Sequence, residues 1–166
     1  MKCKVAFFLF LVEALYSQTP TLSQLSKYSD QNVTGWFMSE KLDGIRAFWD
    51  GEKLLSKKGN HIYAPSSFTI NFPPFALDGE LWSKRNDFEF IQSTVLDKVP
   101  SKGWRKIRYH IFEAPHSEGN FSLRLERVKT WFDKHRNLSV HLVEQSTCQG
   151  REDLDAYLQF IVNQKG

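Results

Sequence analysis

The stretch Ser39-Glu40-Lys41-Leu42-Asp43-Gly44-Ile45-Arg46 gathers the residue types that could do chemistry together. A lysine attacks only in its neutral form, so a nucleophilic lysine needs cationic neighbours or desolvation to release its proton. An arginine close by can share a phosphate through charge-assisted hydrogen bonds. A tight turn at Asp43-Gly44 would bring Lys41 and Arg46 to one mouth. The chemistry described is attack by Lys41 on a phosphate that Arg46 helps to hold. By itself the segment reads equally as a solvated β-turn, because Asp-Gly is a good turn pair and charges gather around turns.

The elements that must position these residues alternate between strand and helix patterns. Residues 18–34 are polar, with Leu22, Leu25 and Tyr28 spaced for the narrow apolar face of a short helix. Ile45 to Trp49 and Lys53 to Leu55 flank Asp50-Gly51, a hairpin signal. His61 to Ala64 predicts a further strand ended by Pro65, and Phe72-Pro73-Pro74-Phe75 a rigid connection into Ala76 to Leu81. Phe88, Ile91 and Val95 recur at helical spacing, and Ile107 to Phe112 alternates as a half-buried strand does. Leu125, Val128 and Phe132 predict a helix that Ser122 would cap, and Val140 to Val143 a strand. Leu154, Leu158 and Ile161 predict a last helix, with Glu152, Asp153 and Asp155 in its first turn and Gly166 at its C-terminal cap. Hairpins with helices between them give an α+β class with mainly antiparallel sheet.

The chain has 166 residues, 41% hydrophobic and 25% charged, which suits one soluble domain with a real core. A net charge of +3 permits a polyanionic partner without demanding one. Lys2 and Lys4, the apolar run Val5 to Val12, and the small residues Ala14 and Ser17 form a signal-peptide pattern. Glu13 is awkward within it, and a buried N-terminal helix or strand is the alternative. The expectation is a leader over residues 1–17, export to the periplasm, and a monomer with no stable membrane association after cleavage. Cys148 would then be the single cysteine, which leaves no intrachain disulfide, and neither it nor the five histidines has zinc-site spacing. No P-loop is present.

Lys-x-Asp-Gly-x-Arg at Lys41 to Arg46 resembles motif I of the covalent nucleotidyltransferases: DNA ligases, RNA ligases and capping enzymes. Ser56-Lys57-Lys58-Gly59-Asn60 is similar to the family's next motif, Leu77-Asp78-Gly79-Glu80-Leu81-Trp82 to motif III, and Tyr109-His110-Ile111-Phe112-Glu113 to motif IIIa. The flanks resemble those of the minimal bacterial E-type ATP-dependent DNA ligases. That resemblance implies an adenylation domain over residues 18–166, with two mainly antiparallel sheets around an ATP cleft. It implies sealing of nicked double-stranded DNA, in repair or recombination, with ATP as AMP donor and Mg²⁺. Lys41 would be the nucleophile and Arg46 would hold the AMP phosphate or the nick. Glu40 and Lys57 would join them at the nucleotide. Glu80 would bind the ribose or Mg²⁺, and Phe112 would stack on adenine. Lys57 stands where the family has arginine, and Glu113 where aspartate is common. From the residues alone, Phe112 reads equally as core, Glu80 as a solvated edge residue and Lys57-Lys58 as a surface charge pair. The family continues with Glu-Gly and Lys-x-Lys motifs and an OB-fold domain, which would follow Gly166. The expectation for these 166 residues alone is therefore weak activity or none, and an inactive nucleotide-binding remnant or an RNA ligase or capping-type enzyme is the alternative.

Overall fold

A computed structural model describes residues 28–164. The expected leader, Cys3, Leu22, Leu25 and Gly166 lie outside the described residues. The elements run β1 (Phe37–Met38), β2 (Ile45–Trp49), β3 (Leu54–Ser56), α1 (Ser66–Thr69), β4 (Leu77–Trp82), α2 (Phe88–Val95), a 3₁₀ helix (Lys102–Lys106), β5 (Arg108–Glu113), α3 (Phe121–Lys134), β6 (Val140–Leu142), β7 (Ser146–Thr147) and α4 (Arg151–Asn163). The larger sheet has the order β3-β2-β4-β5-β6, and β1 pairs with β7 in a second, two-stranded sheet. Every pairing is antiparallel except β5 with β6, which are parallel because α3 crosses over between them.

Strand alternation divides the larger sheet into two faces. Ala47 and Trp49 of β2, Leu77 and Leu81 of β4, and Tyr109 and Ile111 of β5 point into the core. There they meet Phe68, Phe72, Ile91, Val95, Trp104 and Val128. The Tyr109 hydroxyl lies 2.9 Å from the Ala47 carbonyl and 3.0 Å from that of Leu77, so this buried phenol is satisfied by donating to β2 and β4. Its burial raises its pKa well above the ordinary value. Residues of opposite parity on the same strands, Arg46, Asp78 and Glu80, line a cleft on the other face.

The Asp50-Gly51 hairpin forms, with Gly51 at φ +108° and Asp50 Oδ1 accepting from the amides of Glu52 (2.8 Å) and Lys53 (2.7 Å). The expected strand at His61 to Ala64 is reduced to a single bridge, His61 to Leu55, because β3 is only three residues long and Pro65 starts α1. Asn120, not Ser122, caps α3: its Oδ1 accepts from the Leu123 amide at 3.1 Å. Phe121 already opens that helix, which places Ser122 inside the first turn. Asp155 does not serve the first turn of α4; it pairs with Arg151 at 2.9 Å. Asp153 does serve it, accepting from the Gln149 amide at 2.9 Å.

Candidate active site

Ser39 to Lys41 follow directly on β1, whose register with β7 is Phe37 to Thr147 and Met38 to Ser146. The small sheet therefore aims the lysine segment at the face of β2, β4 and β5. Between them lies a cleft of about 660 Å³, a size suited to a nucleotide-sized ligand. Glu40, Lys41, Arg46, Lys57, Glu80 and Phe112 all line it, although they come from widely separated parts of the sequence. Phe121, Val143 and Gln145, which no sequence signal singled out, also line it.

Two glycines let the strands approach closely enough for this. A Cβ on Gly44 would run into the Leu81 carbonyl oxygen, and one on Gly79 would lie 2.5 Å from the His110 carbonyl oxygen. The expected Asp43-Gly44 turn is thus corrected. Gly44 has no positive φ and leads through a bend into β2, and its glycine identity is demanded by contact with β4. Its amide donates to Glu80 Oε1 at 3.0 Å, which ties the lysine segment to β4.

Arg46 and Asp78 form a two-point fork, Nε to Oδ1 at 3.0 Å and Nη2 to Oδ2 at 2.6 Å. Asp78 is 1% exposed, and burial raises its pKa even though Arg46 opposes the shift. The guanidinium lies over the Phe112 ring, 5.4 Å from the centroid. A bulge in β5 brings Glu113 onto the same face as Phe112. Glu113 pairs with Asp78 and Ile111 with Gly79, which leaves Phe112 as the extra residue. Phe112 and Glu113 thereby both line the cleft, although plain alternation would turn one of them away.

Four carboxylates line the cleft: Glu40, Asp78, Glu80 and Glu113. Three are held by arginines: Asp78 by Arg46, Glu40 by Arg85 Nη2 (2.6 Å to each oxygen), and Glu113 by Arg124 (2.8 and 2.7 Å). Glu80 is bonded to a backbone amide instead, which leaves it the carboxylate best able to take a cation. Among the described residues no group of three or more His, Cys, Asp or Glu is placed to hold a metal. Glu80 with substrate phosphates and water would suit Mg²⁺, which needs only one or two protein carboxylates. Arg85 and Arg124 escaped the sequence reading, and Asp78 entered it only within its motif and without a role, since their partners lie 45, 11 and 32 residues away.

No family model matches the chain. Over all 166 of its residues it is 36% identical to a DNA ligase of Haemophilus influenzae, of which it covers 62%. It is also 38% identical to a solved Lig E DNA ligase, a structure described as DNA binding with a minimal scaffold. The two superpose with a TM-score of 0.78, covering 85% of this chain and 57% of that one. Over this span the chain is similar to the Lig E DNA ligases. At 18% identity, Chlorella virus DNA ligase-adenylate shares its fold, with a TM-score of 0.64 over 81% of this chain and 52% of the viral enzyme. The fold is thus the nucleotidyltransferase fold of ATP-dependent DNA ligases, and the chain spans about six-tenths of the length of the Haemophilus and Lig E ligases.

In this Lig E-like cleft, burial pushes the Glu80 carboxyl up to about 7, against the Gly44 amide and the charges of Lys41 and Arg46. The folded chain then holds a proton that the unfolded chain gives up near the ordinary carboxyl value, so this group costs stability increasingly as pH rises from about 4.3 to 7. Glu80→Gln is expected to raise Tm relative to the parent at pH 8 and to change it less at pH 5. Each 1 kcal/mol corresponds to about 2–4 °C in a domain of this size. Thermal melts at the two pH values check it; an equal effect at both would show that Glu80 ionises normally.

Proposed function

We propose that this chain is the nucleotidyl-transfer part of an ATP-dependent DNA ligase, with Lys41 as the residue that takes up AMP. The observation that carries this reading is the convergence of Lys41, Arg46, Lys57, Glu80 and Phe112 on one cleft, in a chain related to Lig E ligases. Lys41 Nζ, as the neutral amine, attacks the α-phosphorus of ATP. The bond to the bridging oxygen breaks and pyrophosphate leaves, giving a lysyl-AMP. A 5′-phosphate oxygen at a nick then attacks the AMP phosphorus and frees Lys41. The 3′-hydroxyl attacks the activated 5′-phosphate, AMP leaves and the strand is sealed. Arg46, fixed by its fork to Asp78, supplies positive charge at the phosphate, and Lys57 adds a second cation from the rim. Mg²⁺ would offset charge on the triphosphate, with Glu80 as its protein ligand. Positioning and charge neutralisation carry most of such a reaction.

The test is a two-stage assay. The protein is loaded with ATP and Mg²⁺, freed of nucleotide, and offered a duplex with a nick. Discharge of AMP that requires a 5′-phosphate at the nick supports the reading. An adenylate that no nicked duplex discharges would contradict it.

Phe112 gives a separable prediction. An aromatic platform is worth about 1–3 kcal/mol per stacked base, so Phe112→Ala is expected to weaken ATP use roughly tenfold or more. Phe112→Tyr keeps the ring and is expected to be tolerated. Adenylation measured against ATP concentration checks it, and an unchanged dependence in Phe112→Ala would place the purine elsewhere.

A further inference from the structure

Between Glu40 and Gly44 the chain carries Lys41 on an exposed segment with no regular secondary structure. Something other than a strand or helix must therefore fix its path. At the Gly44 end the tether is the 3.0 Å bond from the Gly44 amide to Glu80 on β4. At the other end it is Glu40, whose two carboxylate oxygens each lie 2.6 Å from Arg85 Nη2. Arg85 sits in the loop that leaves β4, where Ser83 Oγ donates to Asp87 Oδ2 at 2.7 Å just before α2 begins. Both tethers thus lead back to β4 or its continuation. Tyr157 of α4 also lies against Glu40, whose carboxylate and backbone both shift the phenol's pKa.

The pair is held at a cost. Arg85 and Glu40 side chains are only 26% and 21% exposed, and Arg85 Nε is buried without a hydrogen-bond partner. A surface arginine would satisfy that N–H with water. The geometry sacrifices it to bring Nη2 onto Glu40.

We propose that Arg85 is a positioning residue for Lys41, acting through the Glu40 carboxylate. This inference rests on the ligase reading above. It gives Glu40 a different task from contact with the nucleotide. Its carboxylate anchors the segment, and the nucleophile hangs between two fixed points over the cleft. Slackening one of them lets the amine stray from the line of attack, and a misplacement of about 1 Å can cost on the order of a hundredfold in rate.

The experiment is single-turnover formation of the lysyl-AMP, followed by intact mass, in the parent and in Arg85→Ala, Arg85→Lys, Glu40→Gln and the exchanged pair Glu40→Arg with Arg85→Glu. A melting curve on each variant shows that it is folded. Arg85→Ala is expected to lose about ten- to a hundredfold in rate at saturating ATP. The ATP concentration for half-maximal rate should change by less than about threefold, because no contact with substrate is removed. Arg85→Lys and Glu40→Gln should fall between it and the parent, and the exchanged pair should recover at least about tenfold over Arg85→Ala. A loss confined to ATP affinity would make Arg85 or Glu40 a nucleotide contact and overturn the proposal. So would an Arg85→Ala rate equal to the parent's, or an exchanged pair no better than Arg85→Ala. AMP carried by a residue other than Lys41 in the parent would overturn the ligase reading itself, and this proposal with it.

Discussion

Lys41→Ala is expected to leave no AMP on the protein after incubation with ATP and Mg²⁺, while leaving the fold intact. Lys41 is exposed, so its truncation removes no core packing. A second lysine in the same cleft, Lys57, makes the prediction sharp. Lys57 follows directly on β3 at the rim and is exposed, in a turn closed between Ser56 and Asn60 and apart from the segment that the Gly44 amide ties to Glu80. Lys41→Arg should be as inactive as Lys41→Ala, since a guanidinium does not lose its proton in a protein and cannot attack phosphorus. Lys57→Ala should slow adduct formation without abolishing it, because a charge contact is lost and not the nucleophile. Intact mass after a fixed incubation reads all three. An adduct that survives Lys41→Ala would give the role to another amine.

Asp78→Ala is expected to be the most destabilising of the single changes in the cleft. Asp78 is 1% exposed and accepts two bonds from Arg46, whose side chain is 20% exposed. Burial raises the carboxyl pKa despite the arginine, so the pair is held at a net desolvation cost. Removing one partner of such a pair typically costs about 3–5 kcal/mol. Against a total stability of about 5–15 kcal/mol, that is a large share. Asp78→Asn keeps the shape and one acceptor and should cost less. The double variant Asp78→Ala with Arg46→Ala should cost less than the sum of the two, because each single change already removes the same fork. Urea denaturation of the four proteins measures the coupling. A cost below about 1 kcal/mol for Asp78→Ala would mean that Arg46 readily finds water or another acceptor.

The two strand-rich motifs were legible because their chemistry is local. Lys41 to Arg46 and Asp78 to Glu80 each carry their residues within a few positions, and strand alternation sends Arg46, Asp78 and Glu80 to one face. What joins them was not legible, because it depends on register. Arg46 stands opposite Glu80, and Asp78 opposite Glu113, only because β4 lies between β2 and β5. The β5 bulge breaks the period-two pattern at Phe112, where the sequence shows unbroken alternation. Gly44 was read as a turn glycine because Asp-Gly is a turn pair, whereas the constraint on it is a carbonyl from a strand distant in sequence. Residues 37–38 and 146–147 are too short to carry a strand signal, yet together they build the second sheet and aim Lys41. The helices fared better. α2, α3 and α4 lie where the apolar spacing put them, although the cap of α3, Asn120, lies two residues before Ser122.

The central claim is that the Lys41 amine forms a covalent bond to the α-phosphorus of ATP. Peptide mapping of the protein after incubation with ATP carrying label in the α-phosphate, with Mg²⁺ present, tests it most directly. The account predicts one labelled peptide, containing Lys41, with the added mass of AMP and an acid-labile phosphoramidate bond. Label on a peptide containing Lys57 or any residue other than Lys41 would contradict it.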